Sequence, residues 1–181
     1  DEAGEIGAWV IPAAFVMAIV IGVVAGGLNG LLISKIKIPP ILATLGVNQL
    51  LTGVSMVVTG GNAVSKLPKA YSASINQKIL DVVPGKRGTM MGLIPVQLIF
   101  FVVITLIVWF LLARTTYGKK IYMIGTNENV ARFSGVKVDQ MLIKTYALSG
   151  VFSAISGMIM LANYNSARSD YGSVYTMQCI L

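Results

Sequence analysis

The chain has 181 residues, 55% of them hydrophobic and only 12% charged, with a mean hydropathy of +0.77. Its net charge of +7 lies almost wholly between apolar runs, which turns it toward a membrane surface and away from nucleic acid. With no histidine and one cysteine, Cys179, the sequence lacks the usual metal-site and nucleophile constellations and cannot form an internal disulfide.

Four stretches carry no charged side chain: Gly7–Ser34, Ile38–Ser65, Gly88–Ala113 and Thr145–Ala167. Each exceeds the roughly 20 residues a helix needs to cross a hydrocarbon core about 30 Å thick. The expected fold is all-α, a polytopic transmembrane helical bundle forming one transmembrane domain over 1–181. Spans are expected near 9–34, 40–60, 93–113 and 142–164, with a fifth starting at 175–181. The chain begins at Asp1 and stops within the rising apolar run Tyr175–Leu181, so it reads as a piece cut at both ends. The first span is too long for a signal-peptide core and has no basic segment before it.

Span one carries Gly22, Gly26 and Gly30, three glycines on one helix face. Small residues let backbones approach closely where lipid supplies no hydrophobic drive for association. The face therefore serves helix packing or borders a conduit. Span two starts after Pro39-Pro40, which suits a helix opening. It places Thr44, Asn48, Thr52, Ser55 and Thr59 along one stripe, at spacings that return to the same helical face. Neutral polar groups in that position either hold helices together by hydrogen bonds or line a wet translocation path for a polar, uncharged solute. The outer loop from Gly60 to Leu93 carries Lys66, Lys69, Lys78, Lys86 and Arg87 against Asp81 alone, without strong element signals. It is a solvated connection or a basic seat for a partner.

Span three is bulky all round, with Phe100, Phe101, Trp109 and Phe110, as expected of a helix facing lipid. The following loop contains a short helix. Asn127 is a good N-cap, Glu128 suits the positive helix end, and Gly135 is a natural stop. Two turns are not stable alone in water, so the segment docks on a partner or lies on the membrane surface. Span four repeats the small-residue face at Ser149, Ser153 and Gly157. Spans one and four are thus expected to be central, and span three peripheral.

Charge sets the orientation. With Lys35–Lys37 and Arg114–Lys144 inside, that side holds eight basic and two acidic residues, against six basic and five acidic outside. No Asp or Glu lies at membrane depth, which argues against an ion-coupled secondary carrier. No GxxxxGK[ST] motif is present either, so any ATP hydrolysis belongs to another chain.

The inner segment Thr115-x-Tyr117-Gly118 with Ile121-Tyr122, then Gly125-x-Asn127-x3-Ala131-Arg132-x-Ser134-Gly135-Val136, resembles the cytoplasmic coupling loop of permeases in bacterial ABC importers for ribose and related simple sugars. Tyr146-Ala147-Leu148-Ser149-Gly150 and the run from span one to Thr44-Leu45-Gly46 match that family too. The resemblance covers essentially the whole chain. It implies about four and a half of roughly ten helices of a non-enzymatic transport subunit in the bacterial cytoplasmic (inner) membrane. It also implies a second permease subunit, an ATP-binding subunit and an extracytoplasmic solute-binding protein as partners, with no cofactor on this chain and ATP and Mg held by the ATPase. Asn127, Glu128, Val130, Ala131, Arg132, Phe133, Ser134 and Gly135 would then couple to that ATPase. The ribose-type pattern has acids one and three places after a tyrosine beyond span four, where this chain has Thr176 and Gln178 after Tyr175. Permeases for branched-chain amino acids or nucleosides share the general architecture, so the resemblance specifies architecture further than solute.

Overall fold

The computed structural model describes residues 2–65, 78–84, 90–169, 171, 172 and 175. Four membrane-length helices form its body, in agreement with an all-α polytopic bundle. Helix α1 spans Glu2–Lys35, with Pro12 inside it, and α2 spans Pro40–Thr59 with Pro40 in its first turn. Gly60 and Gly61 end α2 with φ of +60° and +75°, a conformation open to glycine at little cost. Their amides return to the carbonyls of Val57 and Met56, satisfying the helix end.

Two short antiparallel ribbons accompany the helices. Strand β1 (Val64–Ser65) pairs with β4 (Ser166–Ala167), tying the ends of the second and fourth long helices together. Strands β2 (Lys78–Pro84) and β3 (Met90–Pro95) form a hairpin within the outer loop, with an irregularity between Asp81 and Val83. The third long helix, α3, consequently runs from Val96 to Arg114 and starts after the expected position 93, because Ile94 and Pro95 pair with Ile79 and Lys78. Among the outer-loop cations, Lys66, Lys69, Lys86 and Arg87 fall outside the described residues, as do residues 176–181.

Two inner helices follow, α4 (Thr116–Thr126) and α5 (Glu128–Phe133), and then the fourth long helix, α6 (Val138–Tyr164). Helix α6 starts a turn earlier than position 142, with Val138 fully buried at its head. It ends at Asn165 in a left-handed conformation, φ +49°. The dominant contact in the fold is α1 against α6, with α2 leaning on α1. Helix α3 contains no buried residue. Near the outer end, Gln97 Nε2 donates to Asn163 Oδ1 at 2.6 Å, joining α3 to α6. Tyr164 stacks on Tyr171 there, their ring centroids 4.9 Å apart.

Candidate functional site

The glycines of α1 meet α6 backbone to backbone. A methyl group on Gly22 would press on the Gly150 carbonyl and lie 2.9 Å from the Ala154 methyl. On Gly26 it would strike the Tyr146 carbonyl, and on Gly30 it would come within 2.7 Å of the Ile143 Cα. Gly150 is equally constrained by Gly22. The α6 residues in this contact are therefore Ile143, Tyr146, Ala147, Gly150 and Ala154. Ser149, Ser153 and Gly157 lie beside it and, with Tyr146, Gly150 and Ala154, line a cavity.

That cavity, of about 580 Å³, opens between α1, α2 and α6. Thr44 and Asn48 face it from α2, Asn29 with Gly22 and Gly26 from α1, and Tyr146 with Ser149 and Ser153 from α6. Thr52, Ser55 and Thr59 continue the α2 stripe on its half-buried side but are not among the lining residues. The threonine hydroxyls donate to their own helix: Thr44 to the Pro40 carbonyl at 2.9 Å, Thr52 to Asn48 at 2.9 Å and Thr59 to Ser55 at 2.8 Å. Such back-bonding hides each proton yet leaves the oxygen able to accept.

A second cavity of about 620 Å³ lies beneath, between the Ser34–Pro40 connection and the inner helices, lined also by Glu128, Asn129 and Arg132. Tyr146 lines both hollows. Asn29 Oδ1 and Ser34 Oγ are buried without a hydrogen-bond partner among the described residues. Sequence reasoning passed over Asn29 and the position of Tyr146. The available signal was that Asn29 carries the one amide in span one.

At the inner surface, Thr115 caps α4 by accepting from the Gly118 amide at 3.3 Å. Gly118 sits so tightly on the Leu112 backbone that a side chain there would overlap it. Tyr117 reaches α6, with its hydroxyl 2.9 Å from Thr145 Oγ1. Asn127 then caps α5, its Oδ1 accepting from the amides of Asn129 (3.0 Å) and Val130 (3.3 Å). Gly135 follows with φ +79° and lets the chain turn into α6.

Helix α5 is two-faced. Ala131 is wholly buried, whereas Phe133 is 91% and Val130 54% exposed. Arg132 donates to Glu128 Oε1 at 2.9 Å and to Asp139 Oδ1 at 2.7 Å, linking α5 to the first turn of α6. The hydrogen bonds to Glu128 and then to Asp139 raise the Arg132 guanidinium above its usual value. Ser134 Oγ turns back to the Val130 carbonyl at 2.9 Å. An exposed phenylalanine on a short, capped and ion-paired helix is an apolar knob.

Comparison with known proteins adds the following. A family described as branched-chain amino acid transport system / permease component matches residues 3–181. The chain is 36% identical over 152 residues to the ribose import permease protein RbsC of Bacillus subtilis (strain 168), covering 84% of this chain and 44% of that protein. It is 32% identical over 170 residues to the autoinducer 2 import system permease protein LsrD of Yersinia enterocolitica, covering 91% and 48%. With the LsrD of Salmonella typhimurium it shares 30% identity over 176 residues, covering 94% and 49%. The chain thus spans about half the length of these relatives. No solved structure matches it.

Proposed function

We propose a function from the family first: this chain belongs to the branched-chain amino acid transport system / permease component family. It is a multi-pass protein of the bacterial cytoplasmic (inner) membrane. The proposed activity is that of a permease subunit in an ATP-driven importer, moving a simple sugar or related small polar solute from a binding protein to the cytoplasm. The relatives named for ribose and autoinducer 2 import favour that solute class over branched-chain amino acids.

The observation that carries the mechanism is the exposed knob of α5. Phe133 and Val130 project from a helix whose caps, buried Ala131 and Arg132 pairs hold it in one place. An apolar side chain held at an inner surface suits a groove on an ATP-binding subunit, where an aromatic anchor contributes heavily to docking. In this reading Asn127, Glu128, Arg132, Ser134 and Gly135 shape and position the helix, and Phe133 and Val130 engage the partner. ATP and Mg belong to that partner, and this chain acts as a transport subunit, paired with a second permease. The cavity of Thr44, Asn48, Ser149 and Ser153 is the proposed stretch of translocation path, its accepting oxygens suited to hydroxyl-rich solutes.

The test is the double substitution Arg132→Glu and Phe133→Ala in the assembled transporter. Uptake should be lost, and substrate should no longer stimulate hydrolysis, while the permease still inserts in the membrane. Normal uptake with normal stimulated hydrolysis would overturn the assignment of α5.

A further inference from the structure

We propose that the groove where α4 meets the first turns of α6 binds an anionic phospholipid, its phosphate among Lys120, Lys137 and Lys144 and an acyl chain in the apolar slot beyond them. The inference rests on the chain crossing a membrane, and not on the transport activity proposed above.

Two neighbouring hollows support it. The first, about 450 Å³, takes Lys120 from α4 and Lys137, Gln140 and Lys144 from the head of α6, and no carboxylate lines it. Asp139 is nearest in sequence, but its oxygen is held by Arg132 at 2.7 Å. Among the described residues, none of the three lysines makes an ion pair. Three ammonium groups around one hollow repel each other, and an anion placed between them relieves that repulsion. A phosphate there would accept charge-assisted hydrogen bonds from all three.

The second hollow, about 190 Å³, is lined chiefly by Leu111 and Leu112 of α3, Ile121 of α4, and Leu148 and Phe152 of α6. Its character is almost wholly apolar. The two hollows lie along one continuous stripe of α6: Lys137, Met141 and Lys144 border the basic one, Leu148 and Phe152 the apolar one. Spacings of three and four residues keep Met141, Lys144, Leu148 and Phe152 on the same helix face, and Lys137 caps the helix just ahead of them. Helix α3, which closes the apolar hollow, buries none of its side chains in the fold and so turns the slot toward lipid. Inorganic phosphate would use only the basic half. A phospholipid uses both, and basic pockets at the cytoplasmic ends of membrane helices are suited to anionic headgroups.

The purified protein in mixed micelles, examined by native mass spectrometry, provides the test. Phosphatidylglycerol should be retained in preference to phosphatidylcholine of the same chain length, and millimolar inorganic phosphate should not displace it. Each of Lys120→Gln, Lys137→Gln and Lys144→Gln should weaken retention roughly fivefold, and the triple variant on the order of 100-fold. Lys119→Gln, an exposed neighbour outside the hollow, should leave retention unchanged. Leu148→Trp, which fills the slot, should weaken retention with every lysine in place. The proposal is overturned if the parent protein shows no headgroup preference or the triple variant keeps it. Displacement by inorganic phosphate, or equal losses for Lys119→Gln and Lys120→Gln, would overturn it as well.

Discussion

Gly26 and Gly27 are adjacent on α1, yet their surroundings differ completely. A Cβ at Gly26 would overlap the Tyr146 carbonyl, with the carbonyl carbon at 2.9 Å and the Ala147 Cα at 3.0 Å, whereas a Cβ at Gly27 would meet nothing within 4 Å. Replacing either by alanine gains the same helix propensity, about 1 kcal/mol, so the difference between the two variants isolates the α1–α6 seam. Backbone atoms cannot swing aside as a side-chain tip can. Relief requires the helices to separate, and forced overpacking of this kind costs about 1–3 kcal/mol. Gly26→Ala should therefore be less stable than Gly27→Ala by about that amount, and Gly27→Ala should match or exceed the parent. Gly30→Ala should follow Gly26→Ala, since the Ile143 Cα at 2.7 Å would have to retreat by about 0.7 Å to reach the 3.4 Å of ordinary contact. Gly22→Ala combined with Gly150→Ala should cost less than the sum of the two, because one separation of the helices relieves both overlaps. The assay is unfolding of the purified protein in mixed micelles, titrated with a denaturing detergent and followed by circular dichroism. Equal midpoints for Gly26→Ala and Gly27→Ala would refute the close seam.

Two further predictions concern the path and the outer loop. In a background with Cys179 replaced by serine, cysteines at Thr44 and Asn48 should react with small water-soluble thiol reagents faster than cysteines at Leu50 or Val57, whose side chains point away from the cavity and are 61% and 83% exposed; equal protection at all four would assign the stripe to packing. Exchanging Lys86 and Arg87 for glutamate should slow docking of a solute-binding protein most at low ionic strength, where surface charge is least screened, and matching on-rates at low salt would leave the loop a connector.

The membrane-spanning character of the chain was legible because a charge-free run of more than 20 residues has few alternatives, and four such runs occur. The cap on α5 was legible for a local reason: Asn127, Glu128 and Gly135 act on their own backbone neighbours. Pairing between helices was not legible to the same depth. The sequence displays Gly22, Gly26 and Gly30 on one face, but the face they meet includes Ile143 and Tyr146, which no small-residue pattern would select. Ser149 and Ser153 lie one residue from that contact, and a rotation of about 100° along a helix turns them into the cavity. The α2 stripe was visible as a periodicity, while its division into cavity-lining Thr44 and Asn48 and the remaining positions depends on where α2 leans against α1. Helix α4 was hidden because Gly118 and Gly125 look like loop residues, although Gly118 is required by its contact with the Leu112 backbone. The hairpin β2–β3 was hidden by its irregular alternation at the bulge between Asp81 and Val83.

Helix α6 packs on α1 and touches α4 and α5, and the strengths of these contacts differ. Its first turn holds Arg132 through Asp139, its second turn holds Tyr117 through Thr145, and its middle rests on the glycines of α1 while lining the cavity. The Arg132 pairs are solvent-exposed, and such pairs contribute little to stability. They can fix the angle of α5 but cannot transmit a large load. The connection between α5 and α6 carries stronger anchors. Ala131 and Val138 are both fully buried, and burial of a valine side chain alone contributes about 1.5–3 kcal/mol. Between them the chain folds on itself, the Val136 amide donating to the Ala131 carbonyl at 3.1 Å. A force on Phe133 would therefore pass into α6 through this apolar connection, with Arg132 setting its direction. The backbone contact between α1 and α6 leaves no slack for α6 to slip alone, so the two helices would move as one wall of the cavity.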